Sequence, residues 1–323
     1  MKISKRLFTR LVVLALALPV FAQPAGTNAV LWRDMGDAAA LNLLDGPGEK
    51  TGGPGTDFKF IGEIKTGTAP KFDVEDERGA KWKVKLGPEV KPEVAATRLL
   101  WAAGYFADED YYRAEIRVQG MPPLSRGKAY VTDGGLVREV LLERHSDGKK
   151  TGDWSWYDDR IDGTREFNGL RVLMALINNW DLKEENNAIR DEGDGRQRYV
   201  VSDLGASFGR TGGTFSRSKG KMKDYAESKF IEKVTPKYVD FVMHSKPFVL
   251  PYVVRRKYYN SRAKMESITR HIPIADARWI GNLLGRFSTE QIGDCFRAAG
   301  FSPAEVDGYT RVVVQRIDAL KKL

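Results

Sequence analysis

The chain has 323 residues, 52 of them Lys or Arg and 43 Asp or Glu, with 42% hydrophobic residues, seven Trp and fifteen Phe. That composition excludes a disordered, collagen-like or simple coiled-coil chain, and its length and apolar content suit one large domain or two lobes. Its single cysteine, Cys295, excludes a disulfide framework and a Cys-rich metal site, and its three histidines (His145, His244, His271) lack zinc-ligand spacing.

Residues 1–10 carry Lys2, Lys5, Arg6 and Arg10 without an acid, and residues 11–22 are an unbroken apolar run. A membrane-spanning helix needs about twenty such residues. The pattern therefore predicts a Sec-type signal peptide over 1–22, cleaved after Ala22, a periplasmic or secreted chain and no membrane span. No Cys follows the apolar run, which excludes a lipoprotein, and no twin Arg precedes it. Cleavage would lower Lys plus Arg from 52 to 48 against 43 acids, a net charge near +5. No face or run collects that charge, so nucleic acid is not an expected partner.

Residues 23–56 read as an N-terminal extension and linker. Residues 29–44 have room for one short helix, and 45–56 hold five Gly and two Pro. Strands are expected at 58–61 and 71–74, with a turn at 76–79. Trp82, Val84 and Leu86 alternate with Lys81, Lys83 and Lys85, giving a third strand with one buried face. A helix follows, with Pro92 at its first position and Gly104 after its end. Further strands are expected at 111–118 and 136–142. Trp154, Trp156 and Tyr157 read as a packing cluster between lobes. Leu170, Leu173, Met174 and Ile177 mark an amphipathic helix from Gly169 onward. A short strand pair is expected at 188–189 and 199–202. After Tyr225 the pattern is mostly helical, with apolar stripes at 277–284, 288–299 and 304–320. Cys295 reads as a buried thiol on one of these helices.

The chemistry concentrates in 180–209, WDLKEENNAIRDEGDGRQRYVVSDLGASFG. Phosphoryl transfer needs a carboxylate beside the attacking hydroxyl and a cation near the moving phosphoryl group. It also needs an amide oxygen and a second carboxylate to hold Mg²⁺ on the nucleotide phosphates. Asp181, Lys183, Asn186 and Asp203 supply these types in that order, with a strand–turn–strand returning the chain from Asn186 to Asp203. The ordinary alternative for 181–186 is a helix cap, since Asp and Asn favour caps.

Asp181-Leu182-Lys183 with Asn186 resembles the D-L-K-x-x-N catalytic loop of protein kinases, and Asp203-Leu204-Gly205 resembles their D-F-G, with Leu204 for Phe. The Asp-to-Asn spacing is similar to that of HipA-like and phosphatidylinositol kinases. The chain thus resembles a secreted bacterial member of the protein-kinase-like superfamily. The resemblance covers 58–209 in order of elements and is specific over 180–205.

It implies an α+β, two-lobed protein-kinase-like fold, with a small strand-rich N-lobe over 57–145 and a mostly helical C-lobe over 146–323. It implies ATP and Mg as cofactors and a hydroxyl acceptor on protein, sugar or lipid headgroup. Asp181 and Lys183 would be catalytic, and Asn186 and Asp203 metal ligands. Lys85 would grip the nucleotide phosphates, held by Glu93, with Lys83 and Glu89 as alternatives; Gly67 and Thr68 would let backbone approach phosphate, with Lys71 adding a charge. The chain departs from most protein kinases at Asn179-Trp180, where they have His-Arg, and lacks A-P-E after Asp203. Instead a basic segment with Arg217, Lys219, Lys221 and Lys223 stands at the place of a substrate loop. Two other readings use the same residues: nucleotidyl transfer at this metal site, or a non-catalytic, pseudokinase-like binding module of the cell envelope.

Overall fold

A computed structural model describes residues 29–48, 52–132, 134–144, 149–193, 195–211, 217–243 and 256–323. The expected signal peptide, 1–22, lies outside the described residues, as do 23–28 and the expected lobe boundary at 145–146.

The first lobe is built by β1 (Asp57–Ile64), β2 (Lys71–Asp76), β3 (Lys81–Leu86), α1 (Val90–Ala102), β4 (Asp110–Gln119) and β5 (Leu136–Arg144). β1 pairs with β2, β2 with β3, β3 with β5 and β5 with β4, all antiparallel. β4 then returns to β1 in parallel, Asp57 opposite Arg117 and Lys59 opposite Gln119, so the five strands close into a barrel. Closure protects edges that would otherwise invite pairing with another chain. The alternation on β3 sends Trp82, Val84 and Leu86 inward, where they pack with Phe58, Phe72, Val74 and Val140. The same alternation turns Lys81, Lys83 and Lys85 away from that core.

α1 begins at Val90, so Pro92 is its third residue rather than its first, and Gly104 ends it with a φ of +92°. Its apolar residues Val94, Ala95 and Leu99 join the core of the second lobe, not the barrel interior. A bond from β3 to α1 therefore ties one core to the other.

The second lobe continues through β6 (Lys149–Gly152), α2 (Arg165–Leu176), β7 (Asn187–Asp191) and β8 (Gln197–Val201). It is completed by α3 (Met222–Glu227), β9 (Ile231–Val234), β10 (Tyr238–Phe241), α4 (Arg256–Glu266), α5 (Ile274–Leu284), α6 (Thr289–Ala298) and α7 (Pro303–Lys321). α2 starts four residues before the expected Gly169, capped by the Thr164 hydroxyl, which accepts from the Phe167 N–H. From Phe167 to Leu176 it is buried at every residue but Arg171, so its period is legible only in part. β6, β7 and β8 form a sheet whose outer edge, on β8, takes the two-residue strands Ala29–Val30 and Phe106–Ala107 in parallel.

Two expectations are corrected. The short helix expected in 29–44 is one 3₁₀ turn, Ala38–Ala40, because 29–33 lies along the sheet instead. The helical half is interrupted by a second sheet of β9, β10 and Ile272–Pro273. Its strands, IEKV and YVDF, are too short and too charged to show a period. Cys295 is buried on α6, and its thiol is pushed up to about 12 by burial.

Candidate active site

A cleft of about 320 Å³ lies between the barrel and the second lobe. Gly67, Thr68, Lys85, Asp181, Lys183 and Asp203 all line it, so the structure gathers six of the eight sequence-derived site residues on one wall set. The other two, Glu93 and Asn186, stand immediately behind it, bonded to Lys85 and to the backbone of Asp181.

Lys85 Nζ lies 2.7 Å from Glu93 Oε1 and 2.9 Å from Glu143 Oε2. Lys83 pairs with Glu143 and, among the described residues, not with Glu93, so Lys85 is the lysine that joins β3 to α1. Desolvation would lower the Lys85 ammonium, but Glu143 and then Glu93 outweigh it and hold the group charged. Burial raises the Glu143 carboxyl, yet Lys85 and Lys83 pull it down to about 2. Glu93, almost fully buried, is raised to about 8, chiefly by burial, with Lys85 opposing and Asp203 adding to the rise. Beneath the pair Asp110 is fully buried, and neither of its carboxyl oxygens has a hydrogen-bond partner among the described residues. Burial, then Glu93, lifts its carboxyl well above the usual range.

The Asp181 loop follows the end of α2, where Asn178 takes a positive φ of 55°. The Asp181 N–H donates to Asn179 Oδ1 at 3.0 Å, so the Asn that stands in the place of His braces the loop. Asn186 Nδ2 donates to the Asp181 carbonyl at 2.8 Å. The Ser202 N–H donates to the Asn186 carbonyl at 2.8 Å, which brings Asn186 beside Asp203. The Asp181 carboxylate lies between Lys183 Nζ at 3.0 Å and Arg262 Nη1 at 2.6 Å. Burial would raise it, but Arg262 and then Lys183 keep it below the usual carboxylate range.

Asp203 sits in the left-handed region (φ 53°, ψ 57°), a conformation Asp tolerates better than most residues. Gly205 follows it because a Cβ there would lie 2.6 Å from Glu89 Cβ at the start of α1. Glu89, the alternative to Glu93, is instead paired with Lys219. Of the basic segment after Asp203, Arg217 and Lys219 are turned inward, whereas Lys221 and Lys223 are exposed. Arg217 and Lys219 lie over the Trp180 ring at 4.5 and 5.9 Å, and Lys219 is tied to Glu89 rather than left for an anionic acceptor. Gly67, at φ +75°, lets the β1–β2 loop turn over Lys71, whose Nζ a Cβ would meet at 3.0 Å. Arg126 pins this loop, donating to the carbonyls of Gly67 at 2.7 Å and Ile64 at 3.1 Å.

Sequence reasoning missed Glu143, Arg262, Asp108, Asp110 and Arg126. Glu143 stands directly opposite Lys83 across β3 and β5, a pairing visible only once the register is known. Trp154 and Trp156 are buried in the second lobe's core, whereas Tyr157 is exposed and walls a groove of about 770 Å³ that runs from Lys183 along α4.

The donor set suits Mg²⁺ on a nucleotide. Mg²⁺ commonly takes one or two protein ligands and completes its shell with phosphates and water. Asp203 supplies a carboxylate at the wall, and Asn186 commits its amide nitrogen to Asp181, which leaves its oxygen for a cation. Lys71, Lys83 and Lys85 line the same cleft and match the charge of polyphosphate. Among the described residues no group of three or more His, Cys, Asp or Glu forms a metal cage of its own.

A strand-rich lobe carrying Lys85 is set over a mostly helical lobe carrying Asp181 and Asp203, a two-lobed α+β arrangement with the cleft between its halves. No family model matches the chain, and no curated protein matches its sequence. Among solved structures it is similar to a proinflammatory kinase, CtkA, from Helicobacter pylori, at 11% identity over 83% of this chain and 97% of that one, with a TM-score of 0.49. It is similar to a Golgi casein kinase at 11% identity over 83% of this chain and 73% of that one, with a TM-score of 0.37. It is also similar to a MAP kinase from Leishmania major at 11% identity over 82% of this chain and 94% of that one, with a TM-score of 0.21.

Proposed function

We propose that this chain is an ATP- and Mg-dependent phosphotransferase acting on a hydroxyl acceptor, and that it works outside the cytoplasm after cleavage of residues 1–22. The observation that carries the activity is the convergence of Lys85–Glu93, Asp181–Asn186 and Asp203 on one cleft from three separate parts of the chain. Lys85 grips the nucleotide phosphates, kept charged chiefly by Glu143. Asp203 and Asn186 hold Mg²⁺, which when bound neutralises charge on the phosphates. Asp181 orients the acceptor hydroxyl. Its lowered carboxyl makes it a weak proton acceptor, which suits a loose transition state in which positioning outweighs proton removal. Lys183, paired with Asp181, offsets charge on the moving phosphoryl group. The acceptor enters along the groove walled by Tyr157 and α4, which opens at Lys183.

The test is transfer of the γ-phosphoryl group of ATP in the presence of Mg²⁺, compared in wild type and Asp181→Ala. We expect nucleotide affinity within about twofold of wild type and transfer slowed by roughly 10²–10⁴. Equal transfer rates would remove Asp181 from the mechanism.

A further inference from the structure

The N-terminal extension has no part in the chemistry above, yet it is docked firmly. Ala29–Val30 lies parallel on β8, the Trp32 indole N–H donates to the Ala103 carbonyl at 2.7 Å, and the Arg33 N–H donates to the Gly104 carbonyl at 3.0 Å. This delivers Arg33 to a second cavity, of about 230 Å³, behind the cleft and beneath the link between α1 and β4. Arg33, Arg144, Arg190 and Arg198 all line it.

The cations are crowded. Arg190 and Arg198 are directly opposite each other on β7 and β8, where like charges repel. Arg33 and Arg198 lie against the same Phe106 ring, at 5.2 and 5.4 Å. Arg33 as a whole is exposed, but the partial desolvation of its guanidinium, then Arg198, lowers that group's affinity for its proton. The nearby carboxyls are engaged: Glu109 with Arg144 at 2.9 Å, Glu192 with Arg198 at 2.9 Å, and Asp108 hydrogen-bonded to Ser202. Guanidinium is the side chain best matched to tetrahedral oxyanions, because its fork donates two parallel hydrogen bonds. The volume admits one such anion with several waters, at about 30 Å³ each.

We propose that this rear chamber is a binding site for a phosphate-class dianion, free or as a monoester, assembled by Arg33 of the extension with Arg144, Arg190 and Arg198. The anion bridges Arg33 of the extension to the guanidinium groups on β7 and β8. Its nearness to the cleft comes from Asp108 and Arg190, which line both cavities.

The experiment is calorimetric titration of the full chain, without nucleotide, with inorganic phosphate and separately with O-phosphoserine. Wild type is compared with Arg33→Gln and Arg198→Gln, each checked for native circular dichroism. Arg33 is exposed, so its variant keeps the test valid if Arg198→Gln does not fold. We expect saturable binding that weakens about tenfold or more in each folded variant. Tighter phosphoserine binding assigns the chamber to a monoester and tighter phosphate binding to the free ion; either supports the site. No saturable binding in folded wild type, or wild-type binding in both variants, overturns it.

Discussion

Arg262 reaches Asp181 from α4, far along the chain, and is itself buried, with its guanidinium 2.6 Å from the carboxylate. It acts as a positioning residue that also sets the charge of the group it holds. Burial raises the Asp181 carboxyl, and Arg262 is the largest influence opposing that rise. The carboxylate therefore stays ionised to a lower pH than an ordinary Asp, and removing Arg262 must move its titration upward. For Arg262→Ala we predict that the acid limb of the transfer rate against pH shifts to higher pH, with less loss at alkaline pH than at acid pH. An unshifted limb with a uniform loss of rate would mean that Arg262 serves only the fold. This residue was not legible in the sequence, because nothing local marks an Arg in a polar helix as the partner of a distant Asp. That Asp181, Lys183, Asn186 and Asp203 gather at one place was legible, since they lie within one short segment folded back by a strand–turn–strand.

At the scale of elements, β3 was readable from its alternation, because one face is buried in the barrel and the other is not. The closure of that barrel was not readable. It depends on a parallel register between β1 and β4, which meet only after the chain has passed through β2, β3 and α1. The β1–β2 loop was recognised by Gly67 and Thr68 but not by what holds it. Arg126 donates to four of its carbonyls, those of Ile64, Thr66, Gly67 and Thr68, and Glu63 accepts from the Ser125 N–H and hydroxyl. On the proposed function, a loop fixed in advance removes an ordering cost from nucleotide binding. Arg126→Ala should weaken Mg–ATP affinity about tenfold, or ~1.4 kcal/mol, while leaving transfer from bound nucleotide close to wild type. Unchanged affinity by calorimetry would show that the loop orders itself.

At the scale of the whole molecule, two hydrophobic cores meet at the cleft, one inside the barrel and one through the second lobe and α1. Lys85 extends from the first and Glu93 from the second, so the pair reports whether the lobes are correctly set. The two-lobed division was legible because strand patterns precede helical ones. The entry of 29–30 and 106–107 into the second lobe's sheet was not, because two-residue strands have no period. The central claim is that the lobes enclose a Mg-dependent nucleotide site with Asp203 at its floor. The most direct measurement is calorimetric titration of the chain with ATP plus Mg²⁺, beside Asp203→Ala and with both proteins shown to be folded. The account predicts saturable binding in wild type that is lost in Asp203→Ala. Equal binding by the two proteins, or none by folded wild type, would contradict it.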